Sequence, residues 1–155
     1  MRFSASLALV LLISTASGLD VGATAPALTG VAWTKGAAPV FSSQYTIVEF
    51  WATWCPPCRT SIPHLSQLNT RYGDRLAVVG LSNEDAATVR AFVDQQGEAM
   101  NFNVGTADPR SAVFQHYMGG VDGIPYAYLV DPTGVVVWAG DPMAIDAELA
   151  TRLGQ

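Results

Sequence analysis

Basic charge is scarce in this chain: lysine occurs once, at Lys35, and lysine and arginine together number 8 in 155 residues. The arginines at Arg59, Arg71, Arg75, Arg90 and Arg110 are scattered. No basic stripe exists to neutralise a phosphate backbone, so nucleic acid is not an expected partner. Histidine is also rare, and His64 and His116 lack the close spacing of a zinc finger. With only two cysteines there is no second cysteine pair to complete a tetrahedral site, so neither a metal nor a cofactor is expected. Long apolar runs are missing as well. A membrane span needs about 20 apolar residues, and the N-terminal apolar stretch is interrupted by Ser4, Ser6 and Ser14.

That stretch begins Met1-Arg2-Phe3, continues through Leu7 to Ile13 and ends in small residues from Ser14 to Gly18. It reads as a secretory signal peptide over residues 1–18, with cleavage near Gly18. An uncleaved anchor or a buried first helix is the competing reading; contact with a membrane would come only through that segment. The expected location is therefore an exported one, first a periplasm, with a secretory lumen or the extracellular space as alternatives. Residues 19–155, within a chain that is 50% hydrophobic and only 14% charged, suit one compact domain.

Residues 21–39 read as an irregular lead-in with one short strand near Val31 to Trp33. Tyr45 to Trp51 is β-branched and aromatic, as in a central strand buried on both faces, with Glu49 as the exception. Cys55-Pro56-Pro57-Cys58 then opens a helix whose Ile62, Leu65, Leu68 and Tyr72 recur at helical spacing, with Pro63 inside it as an expected kink. Leu76 to Leu81 is a second buried-type strand. Ser82 and Asp85 resemble a capping box before a helix that carries Val89, Phe92 and Val93 and stops at Gly97. A short strand near Phe102 to Val104, a helix through Val113, Phe114 and Tyr117, a hairpin turning at Asp131 to Gly134, and a closing helix with Ile145, Leu149 and Leu153 complete the chain. The pattern predicts an α/β fold: a mixed central sheet with helices on both faces.

The two cysteines stand two residues apart. Structural disulfides stabilise chiefly by closing long loops, so a bridge this short is better explained by reversible chemistry. A sulfur at a helix start meets unpaired backbone N–H groups and the positive end of the helix dipole. Lowering a thiol pKa from about 8.5 toward 7 needs roughly 2 kcal/mol of preference for the thiolate, which such a position supplies. Pro56 and Pro57 lack N–H groups, which leaves the Cys58 N–H as the nearest donor to the Cys55 sulfur. Cys55 is thus the expected exposed nucleophile and Cys58 the shielded resolving thiol. His64, nine residues after Cys55, points away from that sulfur around the helix.

Phe50 to Arg59, followed by Pro63, resembles the active-site segment of thioredoxin-like proteins, especially the exported TlpA and ResA type of redoxin. Val21 to Pro26 resembles the lead-in of that branch, Gly123-Ile124-Pro125 its cis-proline loop, and Asp131 to Gly134 its hairpin turn. The stretch from Ser82 to Tyr117 matches the βα segment this branch inserts before that proline. The resemblance implies a thioredoxin-like fold in which Ile124 and a cis Pro125 cover the sulfurs. It also implies a substrate surface including Trp54, Pro56, Pro57, Ile124 and Pro125, a disulfide-containing protein as substrate, and a separate thiol electron donor.

Two positions depart from the resemblance. Where the TlpA and ResA type commonly carries glutamate, three residues after the second cysteine, this chain has Ser61; where their strand commonly carries asparagine, it has Glu49. A carboxylate in an apolar strand is costly when charged, which raises its pKa. Glu49 is therefore the expected proton acceptor for Cys58, unless it reaches solvent at a sheet edge. Peroxiredoxins share the broader fold but carry threonine or serine three residues before the reactive cysteine and a proline before that; here Ala52 and Val48 occupy those places. The alternative from another class is a thioredoxin-fold copper chaperone, whose cysteines stand three residues apart rather than two.

Overall fold

The computed structural model describes residues 18–155, so the expected signal peptide lies outside the described residues except for Gly18. In chain order the elements are β1 (Ala32–Lys35), β2 (Tyr45–Phe50), α1 (Pro56–Tyr72), β3 (Leu76–Ser82), α2 (Ala86–Gln96), β4 (Asn103–Thr106), α3 (Ala112–Met118), β5 (Tyr126–Val130), β6 (Val136–Gly140) and α4 (Asp146–Leu153). The six strands form one sheet in the order β1-β4-β3-β2-β5-β6. β2 pairs parallel with β3 and antiparallel with β5, and β1 pairs antiparallel with β4. The expected mixed sheet is thus observed, with α2 and β4 inserted between β3 and α3.

Successive residues of a strand face opposite sides, and β2 uses both. Ile47 and Trp51 join Ile62, Leu65 and Leu68 of α1, Phe92 of α2 and Leu149 of α4 in one core. Val48 and Phe50 join Tyr128 of β5, Phe114 and Tyr117 of α3 and the lead-in residues Ala25 and Leu28 in the other. Helices therefore cover both faces, and the central strands are almost wholly buried.

The start of α2 corrects the capping-box expectation. Ser82 belongs to β3, whose ladder with β4 extends to Ser82 opposite Thr106. Asp85 is the N-cap instead, its Oδ1 accepting the Thr88 N–H at 2.9 Å. The hairpin turn forms where expected: Asp131 Oδ1 accepts the N–H groups of Thr133 and Val135, and Gly134 takes a φ of 82° that disfavours any side chain. α1 runs through Pro63 as one element to Tyr72.

Candidate active site

At the carboxyl end of β2 the chain turns sharply into α1. Pro56 and Pro57 occupy the first helical positions, where a missing N–H costs nothing, and Cys55 is the N-cap with extended backbone. Its Sγ accepts the Cys58 N–H at 3.3 Å, the donor that the two prolines leave nearest. Cys55 and Cys58 are joined by a disulfide. The expectation of an exposed Cys55 is not met in this oxidised form, where the residue is only 2% exposed and Cys58 is fully buried. The Ile124 carbonyl oxygen lies 3.8 Å from the Cys55 sulfur and helps cover it, and the Ile124–Pro125 peptide bond is cis as the resemblance implied. Around this covered sulfur, Trp54, Pro56 and Pro57 are exposed, Trp54 to 69%.

The turn before Cys55 is held from two sides by residues that sequence reasoning did not single out for it. Glu84, in the β3–α2 connection, accepts both the N–H and the hydroxyl of Thr53, at 2.8 and 2.6 Å, and also the Ser82 hydroxyl at 2.9 Å. From α1, the Arg59 guanidinium donates to the Thr53 carbonyl oxygen at 3.1 and 3.3 Å. Thr53 is two residues from Cys55, so these contacts limit how far the Cys55 backbone can shift. The only advance signal for Glu84 is its place in the polar run Ser82 to Asp85.

Glu49 lies on the α1 face of β2 and is completely buried, which excludes the sheet-edge reading. Its strand neighbours across the ladders are Gly80 of β3 and Ala127 of β5, neither of which offers a charge. Oε1 accepts a hydrogen bond from the Ser61 hydroxyl at 2.5 Å, and Oε2 has no hydrogen-bond partner among the described residues. Removal from water pushes the carboxyl pKa from 4.5 up to about 8; the Ser61 hydrogen bond opposes that rise, and the negative charge of Asp141 adds to it. Ser61 Oγ also lies 3.0 Å from the Cys58 carbonyl oxygen, linking the carboxyl to the backbone of the second cysteine.

A cleft of about 270 Å³ adjoins the site, lined by residues that include Trp54, Phe114, Met118, Asp122 and Ile124. His64 is engaged elsewhere, its Nε2 lying 2.8 Å from Asp146 Oδ2. Among the described residues no group of three or more His, Cys, Asp or Glu side chains is placed to hold a metal ion.

A cis proline against a cysteine pair at the N-terminus of a helix, on a mixed sheet of this order, defines a thioredoxin-like fold with a dithiol centre. The model of the AhpC/TSA family matches residues 21–139, and the chain belongs to that family. Among curated proteins it is 34% identical over 92 residues to the thiol:disulfide interchange protein DsbE homolog of Paracoccus denitrificans (strain Pd 1222), covering 59% of this chain and 47% of that protein. It is 32% identical over 92 residues to the thiol-disulfide oxidoreductase ResA of Bacillus thuringiensis (strain Al Hakam), covering 58% and 50%. These matches span about half the length of those relatives. Among solved structures, a thiol:disulfide interchange protein of the thioredoxin family from Chlorobium tepidum TLS superposes with a TM-score of 0.69 at 26% identity, over 86% of this chain and 97% of that one.

Proposed function

We propose that this chain is a thiol-disulfide oxidoreductase that reduces disulfides in exported proteins, with Cys55 as nucleophile and Cys58 as resolving thiol. The observation that carries the reading is the Cys55 sulfur at the N-cap of α1, receiving the Cys58 N–H and disulfide-bonded to Cys58. The same N–H that meets the sulfur in the disulfide stabilises a thiolate after reduction. The names of the curated relatives point to the same chemistry.

In the reduced protein the Cys55 thiolate attacks one sulfur of a substrate disulfide. The substrate S–S bond breaks, a mixed disulfide forms on Cys55, and the first substrate thiolate leaves and takes a proton from solvent. Cys58 then gives its proton to ionised Glu49, and the resulting thiolate attacks the Cys55 sulfur. The second substrate thiolate leaves and takes a proton from solvent, and the Cys55–Cys58 disulfide remains: two electrons have passed to the substrate. Glu49 returns its proton to solvent before the next cycle; with a pKa of about 8 the carboxyl is mostly protonated at neutrality, and its ionised acceptor form grows as pH rises toward about 8. A separate dithiol donor re-reduces the pair.

The rim of Trp54, Pro56 and Pro57, together with Ile124, Pro125 and the adjoining cleft, receives the polypeptide around the substrate cysteine. Among the described residues no helix is long and apolar enough to cross a membrane. Export rests on the signal-like residues 1–18, with a periplasm as the first compartment. The copper-chaperone alternative is not favoured, because the cysteines are spaced by two residues and the relatives are named for disulfide exchange.

Two assays test the reading together: reduction of insulin disulfides with a dithiol donor, and Cu(I) titration of the reduced protein. Turnover that disappears in Cys55→Ser is expected. Tight stoichiometric copper binding without turnover overturns the reading in favour of the chaperone. Trapping by Cys58→Ser, followed by identification of the protein held on Cys55, then names the substrate.

A further inference from the structure

We infer that Ser61 is the positioning residue that lets Glu49 exist in both protonation states inside the fold, by turning its single hydroxyl proton between Glu49 and the Cys58 carbonyl oxygen. The inference rests on the proton-acceptor reading of Glu49 and deepens it.

The geometry is a hydroxyl with one proton between two acceptors. Ser61 Oγ is 2.5 Å from Glu49 Oε1 and 3.0 Å from the Cys58 carbonyl oxygen, and all three residues are fully buried. A hydroxyl donates one hydrogen bond and accepts up to two. When Glu49 is ionised, Ser61 donates to its carboxylate. When Glu49 is protonated, the carboxyl O–H donates to Ser61 Oγ, and the Ser61 proton turns to the Cys58 carbonyl. Either state keeps the pair hydrogen-bonded without moving a heavy atom. The exchange moves one proton on or off Glu49 and needs no further reactant beyond Cys58 or solvent.

The surroundings leave the task to Ser61. Across the ladders Glu49 faces Gly80 and Ala127, which bring no side-chain donor. From α1 it is approached by Ser61 in the turn after Cys58, and the negative charge of Asp141, at the end of β6, acts against its ionisation. No other hydrogen bond to the Glu49 carboxyl is found among the described residues. Ser61 is thus the one direct donor that favours the carboxylate, and its link to the Cys58 backbone ties that donor to the resolving cysteine.

The test is a titration of the oxidised full chain with ¹³C-labelled glutamate side chains. The Glu49 carboxyl signal is assigned by its loss in Glu49→Gln and followed from about pH 5 to about pH 10. The wild-type midpoint is expected at about 8. A hydrogen bond to a charged group is strong enough that Ser61→Ala is expected to raise the midpoint by about one pH unit or more, whereas Ser61→Thr, which keeps a hydroxyl, is expected to restore it toward wild type. An unmoved or lowered midpoint in Ser61→Ala overturns the inference, as does a Thr variant that behaves like the Ala variant. The rate of substrate release from the mixed disulfide, measured against pH in the same variants, tests the separate reading. If Ser61→Ala shifts the carboxyl signal but Glu49→Gln leaves the rate profile unchanged, the positioning stands and the proton-acceptor role falls.

Discussion

The two faces of β2 differ in what they do with polar groups. On the α3 face, Phe50 packs against Phe114, Tyr117 and Tyr128, and the tyrosine hydroxyls are paired: Tyr117 donates to the Pro26 carbonyl at 2.7 Å and Tyr128 to the Tyr117 carbonyl, while the neutral hydroxyl of Thr46 is buried without a partner among the described residues. On the α1 face, one residue away, Glu49 sits fully buried with one oxygen unpartnered among the described residues. A largely apolar face whose few polar groups are neutral is what folding alone favours. A carboxyl buried against Ser61 of α1 opposes folding once ionised, and Ser61 links it to the backbone of Cys58.

The sharpest break in that comparison is expected at the cysteines. Cys55→Ser removes the proposed nucleophile, so insulin reduction should fall to the rate without enzyme; residual turnover would move the nucleophile elsewhere. On the opposite face, Phe50→Ala is expected to cost about 3–5 kcal/mol of stability in denaturant unfolding while the protein that remains folded still exchanges disulfides, with any loss confined to KM because Phe50 also lines the cleft beside Trp54. Loss of exchange without loss of stability would make the two faces functionally alike. Glu49→Gln should change the pH dependence of both properties. The Glu49 carboxyl binds its proton more tightly folded than unfolded, so its contribution is complete below about 4.5, declines as pH rises toward about 8, and is lost above. Wild type should therefore lose on the order of a few kcal/mol across that window, and the Gln variant should lack the decline. The smallest effect is expected from Tyr128→Phe, which leaves the Tyr117 carbonyl without this donor: about 1–2 kcal/mol of stability with exchange kinetics unchanged.

Local features of this molecule could be read from its sequence because their causes are local. Pro56 and Pro57 dictate which N–H can reach the Cys55 sulfur, and Asp131 to Gly134 carry their own turn chemistry. Features made by distant segments were less legible. In a strand buried on both faces, periodicity does not reveal which side residue 49 takes, and only its meeting with Ser61, twelve residues on, resolves it. The Glu84 clamp on Thr53 spans 31 residues, and the polar run Ser82 to Asp85 gave no sign of its partner. The helix cap moved from Ser82 to Asp85 because the Ser82 to Asp85 run offers several capping side chains, and pairing with β4 claimed the first of them. The cover over Cys55 involves Ile124, 69 residues away: the local sequence around Cys55 pointed to an exposed sulfur, only the family resemblance implied the cover, and in the disulfide form the residue is buried.

That cover makes thiol reactivity after reduction the decisive measurement. Alkylation of the reduced protein with iodoacetamide across pH, with the modified residue mapped by mass spectrometry, should label Cys55 first with a midpoint below the about 8.5 of a free thiol, while Cys58 stays protected. A Cys55 that remains inert after reduction, or a Cys58 that reacts ahead of it, would contradict the assignment of the nucleophile and the reductase chemistry built on it.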